Sequence, residues 1–255
     1  MRFKHSTYMS IEVLPVEGLP IFQEGDSISG EICSKIELKD GDLLCIASSV
    51  YSKTKGYTRV LDEIIAGEKA REIAKKCGED PRFIQAVLDE TADLIIDYPF
   101  VLSQLKCGHV GVRAGVDNSN IEKGFISRLP PEPMASAEEI REEIKGISNA
   151  DIRVIITDTC GRSFRRGQTG VALGWAGMTA IRDFRGDTDL FGRILEITEE
   201  AVVDEFAAFS NFIMGESNRG VPAVIFRNCP FWEGHDELFF RPEEDITIKA
   251  LKKLQ

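Results

Sequence analysis

Apolar and polar positions along this chain follow two different periods, and the switches between them mark its elements. Short apolar or β-branched runs bounded by turn residues predict strands at residues 11–16, 43–48, 153–157 and 221–227. Helical spacing governs residues 68–76. It also governs the segment after Asp80, an N-cap followed by Pro81 at the first helical position, with Phe83, Ile84, Val87 and Leu88 on one face. Residues 101–106 and 109–114 read as a hairpin around Cys107-Gly108, after a break at Pro99. Ser136 and Glu139 have the spacing of a capping box, ahead of a helix with Ile140 and Ile144 inward and a stop near Gly146. Val202, Phe206, Phe209 and Ile213 align along a long helix that ends at Gly215. Phe206, Phe209 and Phe212 spread over more than one face of it, which predicts burial on several sides, against a second subunit or along a seam. Pro242 and Glu243-Glu244 open a C-terminal helix.

The stretch with the most chemistry is RVIITDTCGRSFRRGQTG, residues 153–170. Asp158 and Thr159 stand where its apolar run ends, and a turn-prone loop with Arg162, Arg165 and Arg166 follows. A carboxylate at the end of a rigid strand is suited to a divalent metal. Guanidinium groups grip phosphate or carboxylate oxygens bidentately. The plain alternative is a strand followed by a charged surface loop. Asp117, in GVDNSN at residues 115–120, is a second carboxylate at a strand end, or an Asx turn. Ser48, Ser49 and Lys53 follow the second strand, in what reads as a polar loop able to serve phosphate. The glycine-rich run 170–177 predicts close approach of a ligand or of other backbone.

Length and charge narrow the classes. The 255 residues allow one large domain or two small ones, and the proline-rich segment at 129–135 is the candidate break between two subdomains of a single domain over 1–255. A net charge of −11 argues against a general binder of nucleic acid or anionic membrane. The first residues carry no long apolar core of a signal peptide and no window suits a membrane span, so the expected location is the cytoplasm. Six cysteines match no zinc spacing and read as reduced thiols. Cys160 has no histidine near it in sequence to make it a nucleophile.

Familiar nucleotide loops are absent. The nearest approach to a Walker A loop, residues 161–169, has its glycines one residue too far apart and Gln168 in place of lysine. There is no G-x-G-x-x-G fingerprint and no G-x-S-x-G elbow. What remains is a set of hard oxygen donors, Asp117, Asp158, Thr159 and Glu216, suited to Mg²⁺ or Mn²⁺ bridging phosphate oxygens.

VEGLPIF, ASSVYSK, AGVDNSN, VIITDTCGRSFRRG and MGE together resemble the coenzyme F420-0:L-glutamate ligases, in order and spacing from about Ile11 to Arg227. The N-terminal RFKHSTYM reads as an extension to that pattern, and Ser49 and Tyr51 depart from it. The resemblance implies an α+β fold of mixed sheets and helices in two interlocked subdomains, assembled as an intertwined homodimer. It implies GTP-dependent addition of L-glutamate, and of further γ-linked glutamates, to F420-0 through an acyl phosphate. Asp117 and Asp158 would hold one Mn²⁺ or Mg²⁺, and Thr159 and Glu216 a second, with K⁺ as a further cation. Leu19, Pro20, Ile21, Phe22, Ser48, Ser49, Lys53, Asn120, Met214, Gly215, Ser217, Asn218 and Gly220 would form the GTP site. The arginines, assigned by chemistry alone, would contact an anionic group of a substrate. Rival readings are an amide ligase with a different carboxylate acceptor and a non-catalytic nucleotide- or deazaflavin-binding protein.

Overall fold

The computed structural model describes residues 10–241 and 243–253. Pro242 and the N-terminal residues 1–9, with His5, lie outside them. In chain order the elements are β1 (Glu12–Pro15), α1 (Ile28–Lys35), β2 (Leu43–Ala47), α2 (Ser48–Thr54), β3 (Thr58–Val60), α3 (Glu68–Cys77) and α4 (Pro81–Glu90). Then come β4 (Thr91–Ile96), β5 (Leu102–Leu105), β6 (Val110–Val112), β7 (Phe125–Ser127), α5 (Pro133–Ser148), β8 (Arg153–Gly161) and β9 (Gln168–Ala176). The remainder are β10 (Ile181–Asp183), β11 (Glu199–Ala201), α6 (Val202–Met214), β12 (Ala223–Arg227), β13 (Gly234–His235) and α7 (Ile246–Lys252). The expected α+β class is what the chain adopts.

A five-stranded sheet in the order β1-β12-β2-β8-β9 carries the architecture. Its β2–β8 pair is parallel and the other pairs are antiparallel. β2 and β8 are apolar at nearly every position because both faces are covered. Leu44, Ile46, Val154 and Ile156 point to one side, among Ile28 and Ile32 of α1, Val50 and Tyr51 of α2, and Ile140 and Ile144 of α5. Leu43, Cys45 and Ile155 point to the other, with Val203 and Ala207 of α6. A further core joins α3, α4, β5 and β7, and takes in Leu173 of β9. Leu173 turns that way at a register shift in the β8–β9 ladder, where Ile156 opposes Gly174 and Thr157 already opposes Ala172.

The glycine-rich run proves to be a place of backbone contact. A Cβ on Gly170 would lie 2.2 Å from the Ala207 carbonyl oxygen of α6, and one on Gly174 would lie 2.2 Å from the Pro133 carbonyl oxygen at the start of α5. Two helices are thereby seated directly on β9.

Several local expectations are corrected. Ser48 and Ser49 do not lie in a loop but open α2. β8 does not end at Thr157; it continues to Gly161 because β9 pairs with it throughout. α5 starts at Pro133, and Ser136 back-bonds the Glu132 carbonyl at 2.9 Å instead of capping. That helix runs through Gly146 to a left-handed Asn149. α7 begins at Ile246 with Asp245 as its N-cap, later than the acidic pair. α6 has the expected period but a shifted phase: Val203, Ala207, Ser210 and Met214 face inward, while Phe209 is 46% and Phe212 74% exposed. The backbone of Ala207 and the Asn211 side chain lie directly on Gly170, and Phe206 and Phe209 stand to the flank, where they meet Phe226 at 5.1 and 5.6 Å between ring centroids.

Between β10 and β11, residues 184–198 form an arm closed by backbone bonds such as Gly186 N–H to the Leu195 carbonyl (2.9 Å). Its Phe191 and Ile197 are 91% and 87% exposed. Among the described residues, no helix is long and apolar enough to cross a membrane.

Candidate active site

The site forms where β2 ends. Parallel pairing of β2 with β8 stops at Ala47↔Thr157, and the next residues are Ser48, which opens α2, and Asp158. The Ser48 hydroxyl donates to Asp158 Oδ1 at 3.2 Å. Asp158 is thus not at its own strand's end but at the end of its neighbour's, which leaves its carboxylate facing the opened edge. α2 is pinned from behind: the Tyr51 hydroxyl donates to Glu139 Oε2 (2.5 Å) and Lys55 Nζ to Glu139 Oε1 (2.7 Å).

On the next β8 residue, the Thr159 hydroxyl donates to Glu216 Oε1 at 2.7 Å. Asn211 Nδ2, from α6, donates to Thr159 Oγ1 at 2.8 Å and also to Glu216 Oε1. Asp117 forms an isolated bridge with Ser127, and its carboxylate accepts from Asn118 N–H (2.8 Å) and the Ser119 hydroxyl. These are bonds to the next backbone N–H and to a side-chain hydroxyl, not the backbone N–H two residues on that an Asx turn uses. Burial raises the Asp158 carboxyl to about 6, helped by the negative charges of Asp117 and Glu216; the Thr159 N–H and Ser48 hydroxyl oppose this. Asp158, with the hydroxyls of Ser48 and Thr159 and the carboxylates of Asp117 and Glu216 around it, offers the hard oxygen donors that a divalent cation prefers. Lys53 Nζ donates to the Asn120 carbonyl at 2.5 Å, joining two more of the expected residues, and burial lowers its ammonium below the usual range.

Other expected residues are placed less closely. Leu19 and Phe22 pack on the core shared with Tyr51, while Ile21 is 88% exposed. Met214 is buried at the end of α6 and Gly215 turns the chain with φ 70°, delivering Glu216. Ser217, Asn218 and Gly220 are exposed in the following loop, and Ser49 is exposed on α2. Arg162, Arg165 and Arg166 lie in the exposed β8–β9 turn, and none has a hydrogen-bond or ion-pair partner among the described residues. Arg162 is three residues beyond Thr159, about 10 Å along an extended strand. The Cys160 thiol is raised by burial and by Asp158 and Asp204, the opposite of an activated nucleophile. Asn211 was missed by sequence reasoning; its one signal was an amide side chain, beside Ser210, within the mostly apolar second half of α6.

A second group of ligand-type side chains, Asp183, Glu199 and His235, lies on β10, β11 and β13. Arg185 already bonds Asp183 (2.6 Å) and Glu199 (3.1 Å), so this is an ion-pair network.

The model of the F420-0:gamma-glutamyl ligase family matches residues 18–228, which include every residue assigned to the site. The chain belongs to this family. It is 44% identical over 247 residues to a coenzyme F420:L-glutamate ligase of Archaeoglobus fulgidus, covering 96% of this chain and 99% of that one. Proteins with the same description from Methanosarcina mazei (43% over 244 residues; 94% and 96% covered) and Halobacterium salinarum (44% over 245; 93% and 95%) are similar along nearly their whole lengths. Within the family match fall both the parallel β2–β8 pair and the α6 terminus that brings Glu216 to Thr159.

Proposed function

We propose that this protein is a GTP-dependent ligase that joins L-glutamate to F420-0, and adds further γ-linked glutamates, in F420 biosynthesis. The observation that carries the reading is the convergence of Asp117, Asp158, Thr159 and Glu216 in a chain of this family. Asp117 and Asp158 would hold one Mn²⁺ or Mg²⁺, Thr159 and Glu216 a second, and K⁺ would complete the ion set. Such cations neutralise the triphosphate and polarise the transferring phosphoryl group. The γ-phosphoryl of GTP passes to the acceptor carboxylate, giving an acyl phosphate and GDP. The glutamate amine then attacks the acyl carbon, expels phosphate and loses a proton to form the amide. Lys53, Ser48 and Ser49 on α2, with Asn120, would bind phosphate and ribose oxygens, and residues 19–22 and 214–220 would border the nucleotide. The test is release of GDP and phosphate that requires both F420-0 and glutamate and stops in excess chelator. Equal turnover with ATP, or turnover in chelator, would remove the proposed site.

In this reading the arginine turn, a basic island in a chain of charge −11, grips an anionic substrate group. At least one of Arg162→Lys, Arg165→Lys and Arg166→Lys is expected to lower kcat/KM about tenfold, through loss of the bidentate fork, and at least one to be nearly silent. Kinetics for each substrate in turn assign the anion; three wild-type variants would make the turn a solvated surface.

We also propose a homodimer. Phe212 on α6 and Phe191 and Ile197 on the arm are large apolar side chains exposed in one copy, and a second copy would cover them. Light scattering at micromolar concentration is expected to give twice the chain mass, with no monomer before unfolding. A stable, active monomer refutes it.

A further inference from the structure

We propose that Asn211 is a positioning residue for the Thr159–Glu216 pair, setting a hydroxyl lone pair and a carboxylate oxygen toward a divalent cation. This inference rests on the ligase reading above and adds to it a residue on α6.

The geometry is a closed ring of three side chains. Asn211 Nδ2 donates to Thr159 Oγ1 at 2.8 Å and to Glu216 Oε1, and the Thr159 hydroxyl donates to the same Glu216 oxygen at 2.7 Å. A hydroxyl has one hydrogen and two lone pairs. The Asn211 bond fills one lone pair, and the hydrogen is committed to Glu216, so one lone pair of defined direction is left. Glu216 Oε1 accepts twice, while Oε2 has no partner among the described residues. The reverse amide orientation would aim the Asn211 carbonyl oxygen at the carboxylate, so the donor orientation is the one the chemistry selects.

The backbone of Asn211 works toward the same end. Its carbonyl accepts from Gly215 N–H at 2.8 Å, closing α6 just before the chain turns to Glu216. Beneath it, a Cβ on Gly170 would lie 2.8 Å from Asn211 Cβ, so β9 and α6 meet there without slack. Gly170 is the register partner of Thr159. One residue therefore ties the helix end, the loop that begins at Glu216, and the strand that carries Thr159. Partners that orient metal ligands in this way are typically worth ten- to a hundredfold in metal affinity.

The experiment uses the full chain and Mn²⁺ as the probe, with and without a non-hydrolysable GTP analogue, reading bound Mn²⁺ from the loss of the free-ion electron paramagnetic resonance signal. In Asn211→Leu, one class of Mn²⁺ site is expected to weaken by about tenfold or more while the other is unchanged. That loss is expected to shrink in a Glu216→Gln background, where only the bond of Asn211 to Thr159 is left to act through; an undiminished loss would show that Asn211 does not act through Glu216. Should the leucine variant fail to fold, Asn211→Asp is nearly isosteric. Its new carboxylate faces Glu216, so the metal-free protein should melt lower and gain more from Mn²⁺ than wild type does. Mn²⁺ affinity and melting response equal to wild type in either folded variant overturn the positioning role alone. A wild-type protein that takes up no Mn²⁺ in either condition overturns both this inference and the metal-dependent reading beneath it.

Discussion

Asp158→Asn is expected to lower turnover by on the order of a hundredfold or more, yet to raise the melting temperature of the metal-free protein at neutral pH. The two effects have one cause. The folded Asp158 carboxyl sits at about 6, above the roughly 3.9 of an unfolded aspartate, because burial and the charges of Asp117 and Glu216 disfavour its ionised form. Below about pH 4 the group is protonated in both states and contributes nothing. As pH rises through 6 the unfolded chain is ionised, while the folded chain must hold an unfavourable charge. The full penalty is then roughly 2 to 3 kcal/mol. Asparagine keeps the shape and still accepts from Ser48, without the charge. Melts in chelator should therefore favour the variant at pH 8 and converge with wild type near pH 4. A cation between the carboxylates removes the penalty, so the advantage should shrink on adding Mn²⁺. A variant that melts lower at pH 8, or one with wild-type rates, would make Asp158 a structural residue.

Gly170→Ala is expected to cost about 3 kcal/mol of stability, large for the addition of one methyl group. The new Cβ would meet the Ala207 carbonyl at 2.2 Å and Asn211 Cβ at 2.8 Å, and a helix backbone cannot yield as a flexible side chain can. Relief requires α6 to lift from β9, which carries Asn211 and Glu216 away from Thr159. Activity should fall even at temperatures where the variant stays folded. Chemical denaturation and kinetics of Gly170→Ala beside Gly161→Ala, a position where a Cβ meets nothing, would check this. Equal stability of the two variants would show that the α6–β9 contact is looser than described.

The parts legible from sequence are those where local pattern and packing agree. β2, β8 and β12 are apolar runs because they are buried on both faces, and α4 carries Asp80 and Pro81 at its start, where the Asp80 side chain accepts from Arg82 N–H. α2 was illegible because serine, valine, tyrosine and threonine are middling helix formers. It is held by Val50 and Tyr51 in the core and by two bonds to Glu139, 84 and 88 residues away in sequence. The phase of α6 was illegible for a related reason. Large apolar residues normally mark the inner face, but the bare backbone at Gly170 is met by the Ala207 backbone and Asn211, and the other inward positions include Ser210. The carboxylates of the site could be named from motif resemblance, and Asn211 could not, because its role depends on a helix end meeting a strand far away in sequence.

The order of strands in the main sheet also bears on how the chain is made. β12 lies between β1 and β2, although it is the last of the five to be synthesised, with Glu12 opposite Arg227 and Ile46 opposite Ala223. On the ribosome β1 emerges first and finds no neighbour, and β2 can take β8 on one side while its other edge stays open. Such a nascent chain carries an unpaired apolar edge until β12 emerges, which invites chaperone capture or aggregation. Pairing of this sequence separation also makes closure slow. The ligand cluster at the end of β2 thus acquires its final rigidity only when the strand beside it, the last of the five to leave the tunnel, slots into the gap.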